Sequence, residues 1–173
     1  MITNITLTTK EKLLLQDAQS HEEQCILKYS NFEKLAMDTQ LKAVFRANGA
    51  KEQEHLQTIN QLLSGKVPDM GQSGGQSTGQ SGGQSGHQSK GQSGTQGGGH
   101  SSGQSAQGKW TDKDLCIDLM NTEKYVSGFY DTAIFEFKDA QVRDVLNHIQ
   151  KEEQKHGEAL YKYMESKGMY SAS

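Results

Sequence analysis

Proline occurs once in this 173-residue chain, at Pro68, and cysteine twice, at Cys25 and Cys116. Two cysteines so far apart make neither a disulfide framework nor a zinc ribbon. A basic excess is missing: 18 Lys and Arg face 21 Asp and Glu, for a net charge of −3. That balance argues against nucleic-acid binding, which needs a surplus of cations for the phosphates. Long apolar runs are absent as well. The longest strongly apolar run is Leu13–Leu15, so no membrane span is expected. The opening residues, Met1 to Thr6, carry neither a charged n-region nor an apolar h-region, so synthesis in the cytoplasm is expected.

Hydrophobic residues make up only 32% of the chain, and the mean hydropathy is −0.79. One segment lowers both values. Fourteen of the 19 glycines lie between Gly71 and Gly108, with Ala106 as the sole hydrophobic residue there. Gly-Gln-Ser recurs through it, opening at Gly71, Gly75, Gly79, Gly83, Gly91 and Gly103. Such a stretch buries too little surface to offset its ordering entropy, so a flexible linker over 71–108 is expected. A coil of that length has an end-to-end distance of about 34 Å. His87 and His100 within it are expected to be spacers rather than a metal-binding tract. Without it, 55 of the 56 hydrophobic residues remain in 135 positions, a normal share for a folded domain.

The flanks, 1–70 and 109–173, have helical composition and four apolar stripes at spacings of three and four. The first is Leu14, Ala18, Glu22, Cys25, Tyr29, Phe32 and Ala36. The second is Leu41, Phe45, Asn48, Glu52, His55, Ile59 and Leu62. The third is Leu115, Leu119, Glu123, Val126, Tyr130, Ala133 and Phe137. The fourth is Val142, Leu146, Ile149, Glu153, His156, Leu160 and Tyr163. Asp38 and Asp139 are expected N-caps, and Thr111 or Asp112 opens the third helix. Gly65 and Gly168 are expected to end the second and fourth helices. Asn48-Gly49 is a weak point within the second.

The two flanks are also copies. Shifted by 101 residues, Glu22, Tyr29, Asp38, Gln40, Val44, Glu52, Gln53 and His55 fall on Glu123, Tyr130, Asp139, Gln141, Val145, Glu153, Gln154 and His156. The match has no gap. Each flank is therefore expected to be one helical hairpin, and the pair one all-α four-helix bundle.

Six members of the stripes are polar where the core should be: Glu22, Glu52, His55, Glu123, Glu153 and His156. Buried carboxylates are costly unless paired or bound to metal. Glu22 and Glu52 are 30 residues apart, as are Glu123 and Glu153, and each midpoint falls beside Asp38 or Asp139. Antiparallel arms then bring each pair level, about 22 Å from its turn. Each His follows its Glu by three residues, on the same helical face. Twelve Glu and six His placed at random would give less than one Glu-x-x-His; this chain has two, both on apolar stripes. One Glu from each of two helices and Glu-x-x-His from each of the others is the ligand set of a dinuclear carboxylate site. Four glutamates balance two divalent cations. Carboxylate and imidazole without thiolate suit iron or manganese, with zinc possible.

Neighbouring residues have weaker claims. Glu23 rivals Glu22, but stripe and repeat favour Glu22. Tyr29 and Tyr130, two turns from Glu22 and Glu123, read as core residues before hydrogen-bond donors. Cys25 reads as a small core residue. His21 and His148 lie off the inner stripes.

The twofold Glu…Glu-x-x-His pattern resembles the ferritin-like di-metal carboxylate proteins: ferritins, rubrerythrins and manganese catalases. The second flank resembles something narrower. Lys113 to Leu119, Glu123 to Glu136, Gln141-Val142-Arg143, Ile149 to Gly157 and Met169-Tyr170 look like the spore coat F family. The ferritin-like resemblance implies parallel second and third helices, joined by a crossover of bundle length. A helix of about 25 residues spans roughly 37 Å, comparable to the expected reach of the linker. The coat F resemblance implies a spore coat protein, with other coat proteins or copies of itself as partners. A redox enzyme is the alternative: an oxidase, peroxidase, catalase-like enzyme or ferroxidase. Without a Cys-x-x-Cys pair, an oxidase or peroxidase would need an external reductant.

Overall fold

The computed structural model describes residues 3–68 and 110–170. The linker expectation for 71–108 lies outside the described residues. Four helices carry the fold: α1 (Thr9–Leu35), α2 (Thr39–Leu63), α3 (Asp112–Ile134) and α4 (Ala140–Ser166). A two-residue antiparallel pairing of β1 (Thr3–Asn4) with β2 (Lys66–Val67) ties the start of the chain to the end of α2.

The helix ends follow local chemistry. Thr8 and Thr111 form capping boxes with Glu11 and Asp114, so backbone donors of the first turn are satisfied at α1 and α3. Asp38 and Asp139 cap α2 and α4, accepting from the amides of Gln40 (2.7 Å) and Gln141 (2.8 Å). Of the two residues offered for the start of α3, Thr111 is the cap. Past α2, Gly65 adopts φ +80°, and its carbonyl accepts from the Ile5 amide at 2.8 Å. A side chain there would be strained and would crowd the Ile5 carbonyl, 3.2 Å from its Cβ. The expected weak point at Asn48-Gly49 does not interrupt α2. Gly49 instead permits a close approach: a Cβ there would lie 3.0 Å from the Cβ of Tyr29.

Helices α1 and α2 pack as one hairpin, α3 and α4 as another, and α1 meets α3 while α2 meets α4. Two apolar clusters result. One holds Leu15, Ile59, Leu62, Tyr130, Val142 and Leu146. The other holds Tyr29, Leu41, Phe45, Leu115, Leu119 and Leu160. Twenty-six of the 28 stripe positions are buried; Leu14 and Phe32 are half-buried. Leu15 takes the inner place expected of Leu14. The first stripe ran one residue off at its start because three consecutive leucines leave the phase open.

Cluster membership also gives helix direction. The first cluster gathers the start of α1, the end of α2, and the turn between α3 and α4. The second gathers the turn between α1 and α2, the start of α3 and the end of α4. Thus α2 and α3 run parallel, and the chain from Pro68 to Trp110 joins opposite ends. Two acidic residues bind each hairpin to the other's turn. Glu11 on α1 accepts from the Lys138 amide at 2.9 Å. Asp112 on α3 accepts from the amides of Met37 (2.8 Å) and Asp38 (2.9 Å). They too are separated by the 101-residue offset.

Candidate metal centre

Between the two apolar clusters lies a polar layer. Glu22 comes from α1, Glu52 and His55 from α2, Glu123 from α3, and Glu153 and His156 from α4; all six are buried. The structure brings all six predicted side chains together. Their ligand atoms form two quartets, each within 4.8 Å: Glu22, Glu52, His55 and Glu153, and Glu52, Glu123, Glu153 and His156. Glu52 and Glu153 belong to both.

The two quartets are related by the repeat. His55 Nδ1 lies 3.1 Å from Glu52, 3.1 Å from Glu153 and 3.6 Å from Glu22. His156 Nδ1 lies 3.1 Å from Glu52, 3.4 Å from Glu153 and 3.6 Å from Glu123. The two imidazoles stack, with ring centres 5.6 Å apart.

Many of these polar atoms crowd together without being aimed at one another. Among the described residues, Glu22 Oε2, Glu52 Oε1, Glu123 Oε2, both Glu153 oxygens and His156 Nδ1 have no directed hydrogen-bond partner. Buried polar atoms are nearly always satisfied, so this many orphans in one layer need a common partner. Lone pairs that converge on a shared point fit a cation better than they fit each other. The donor set, oxygen and imidazole nitrogen, is one that divalent metals accept. The residues therefore fit a metal centre.

Protonation follows the same crowding. Burial pushes the Glu22 carboxyl up to about 8, with Glu153 and Glu52 adding to the shift. Burial and the neighbouring carboxylates also push Glu123 well above its ordinary range. Burial opposes charge on His55, but Glu152, Glu153, Glu22 and Glu52 outweigh it and hold the ring protonated. His156 is raised to about 11 against the same burial cost, by Glu123, Glu153 and Glu52. Glu153 is buried yet drops to about 2, because the His156 and His55 rings beside it favour its ionised form. Glu52 is lowered against its burial by the same two rings. The two rings are thus shifted toward the charged form, and Glu22 and Glu123 toward the neutral one.

Two tyrosines cross the layer. Tyr29 Oη on α1 donates to Glu123 on α3, and Tyr130 Oη on α3 donates to Glu22 on α1. Both are core residues, as expected, and both are also donors behind the outer carboxylates. Asn48 Nδ2 donates to Tyr29 Oη at 3.0 Å. Cys25 is buried, and burial together with the four glutamates pushes its thiol up, so it remains a thiol. Of the two outlying histidines, His21 packs edge-on against Phe129 (4.6 Å) and Tyr125 (5.4 Å). His148 is half-exposed, 3.8 Å from Glu152.

Glu152 escaped the sequence analysis. Its Oε2 lies 3.3 Å from His55 Nε2, on the side of the ring away from the cluster. That contact, with Lys155 assisting, holds its carboxyl near 2 despite partial burial. It lies on no apolar stripe, and the repeat places Lys51 opposite it, so no pattern singled it out.

A hollow of about 780 Å³ opens between α3 and α4. Glu123 and Glu153 form part of its lining, and Gly128 and Gly157 lie along it.

Residues 111–173 match the family model described as the Coat F domain. No curated protein and no solved structure matches the chain. No described helix is long and apolar enough to cross a membrane. The second hairpin, α3 and α4 with the turn between them, is thus similar to a Coat F domain.

Proposed function

We propose that this chain is a spore coat protein whose bundle core holds two divalent cations in a ferritin-like carboxylate centre. The Coat F match of the second hairpin supports the coat assignment. One observation carries the metal: two four-residue groups, each with one His, share Glu52 and Glu153. Two groups sharing two carboxylates suit two bridged ions. Glu22 with His55, and Glu123 with His156, would complete one position each. Four ionised glutamates balance two divalent charges, and the imidazoles then serve as neutral ligands. Iron or manganese suits this set, with zinc also acceptable.

In the coat reading, cations brace the layer where four helices would otherwise hold repelling carboxylates. Partners are other coat proteins or copies of this chain. The two hairpins, joined through residues 71–108, act as one domain. The hollow beside Glu123 and Glu153 supports a second reading, a redox enzyme. Bound iron or manganese would supply electron transfer to oxygen or peroxide. The chain would orient the ions through Tyr29 and Tyr130 and exclude water with its two apolar clusters.

The test is metal content after growth with iron and manganese. Near two ions per chain, lost in Glu52→Ala, supports the centre. Oxygen or peroxide consumption by that protein favours the enzyme, and no turnover favours a structural metal. No bound metal under any condition removes both.

A further inference from the structure

The two halves of the centre are nearly superimposable in sequence and differ in what stands behind them. His55 Nε2 faces Glu152 at 3.3 Å. His156 Nε2 is buried and has no hydrogen-bond partner among the described residues. The repeat equates Glu152 with Lys51, whose ammonium pairs outward with Glu54 at 2.6 Å. A carboxylate behind a ligating imidazole fixes its ring and tautomer and raises its basicity. Only His55 has one.

The walls differ too. The hollow between α3 and α4 is bordered by Glu123 and by the shared Glu153, whereas Glu22, Glu52 and both histidines are not among its lining residues. Ser127, Gly128 and Gly157 keep it open. A Cβ at Gly128 would meet nothing within 4 Å among the described residues, and one at Gly157 only the Met120 sulfur at 3.5 Å. The repeat places Ile26, Leu27 and Leu56 at those three positions in the first hairpin. Ile26 and Leu56 are half-buried there, while Leu27 is exposed.

We infer that the two cation positions are inequivalent: Glu22 and His55 hold a tightly retained ion, while Glu123 and His156 hold an exchangeable one that enters and leaves between α3 and α4. This rests on the metal centre proposed above. The retained position has an oriented, more basic ligand and touches the hollow only through the shared Glu153. The exchangeable position has an unsupported imidazole and its own Glu123 on the hollow. The class of ligand using the hollow is then a hydrated divalent cation.

The test uses the full chain, stripped of metal and titrated with Co²⁺, then challenged with EDTA. Two ions should bind at separate affinities and leave in two phases, one ion in each. Glu152→Gln should weaken the tighter ion by about 10- to 100-fold and leave the looser one unchanged. Gly128→Leu should slow entry and release of the looser ion alone, and Gly157→Leu should do the same from the other wall. Two ions leaving at one rate, or Glu152→Gln acting on the faster-leaving ion, would overturn the inference while sparing the metal centre. A wild-type chain that binds no Co²⁺ would overturn the centre itself, and this inference with it.

Discussion

The first and second hairpins carry the same centre on different walls. Both supply Glu, then a tyrosine that reaches across to the other hairpin, then Glu-x-x-His. Outside that set they diverge. Where α1 and α2 place Ile26, Leu27, Gly49, Lys51 and Leu56, α3 and α4 place Ser127, Gly128, Gln150, Glu152 and Gly157. The first hairpin closes tightly, with Gly49 drawn against Tyr29. The second stays open along one face. The difference teaches that the repeat retains the groups whose geometry is shared by both halves, while wall residues answer only to their local surroundings.

Substitutions at equivalent positions test this most sharply. Glu52→Ala removes a carboxylate from both quartets, so metal content should fall from two ions per chain to near zero. Glu22→Ala and Glu123→Ala each strip one quartet and should leave one ion, read by elemental analysis. Equal loss in all three would break the assignment of Glu52 as shared.

Chelation comes next in size. An ion held by the folded state alone stabilises it by about 2.7 kcal/mol at a hundredfold excess over Kd. EDTA should therefore lower the Tm by several degrees, and an unchanged Tm would count against a formed centre. Cation uptake should also release protons, up to four per chain near pH 7. His55, His156, Glu22 and Glu123 all have raised values, so the empty centre keeps protons that cations must displace. Affinity should rise with pH, as pH-stat titration would record.

Smaller effects separate the crossing tyrosines. Tyr130→Phe leaves Glu22 without its donor, a loss of roughly 1–3 kcal/mol. Tyr29→Phe does the same to Glu123 and also takes from Asn48 Nδ2 the nearer of its two acceptors, leaving the His156 carbonyl at 3.5 Å, so it should be the more harmful of the two by denaturant melts. Equal losses would show that Asn48 contributes nothing.

The smallest effect lies at the hairpin turns. Glu11→Ala removes the cap of the opposite turn and should cost about 1 kcal/mol. The Glu11 carboxyl sits below its ordinary value: although burial raises it, the Lys138 and Thr8 amides hold the ionised form. The unfolded chain therefore binds the proton more readily. The contribution is complete above about pH 4.5 and fades as pH falls through the lower, folded value. In acid, wild type should thus converge on Glu11→Ala.

The stripes made most of the fold legible, since a helix that buries one face must repeat its apolar residues every three or four positions. The six candidate ligands were legible for the same reason, as polar residues at positions where that rhythm demanded apolar ones. Leu15 was misplaced because Leu13, Leu14 and Leu15 satisfy any phase. The tyrosine donors were half legible: their stripe marked them as core, but which oxygen meets which carboxylate depends on the distance between α1 and α3. Glu152 was not legible, because its partner lies 97 residues away on another helix.

Local chemistry determined the caps, the helix lengths, the repeat and the polar stripe members, since each depends on residues a few positions apart. Tertiary packing alone decided that Glu52 and Glu153 stand between both histidines, that Glu152 backs only one of them, and that one face of the bundle stays open. Those outcomes depend on how closely separate helices approach, and a chain records that approach only where its side chains meet.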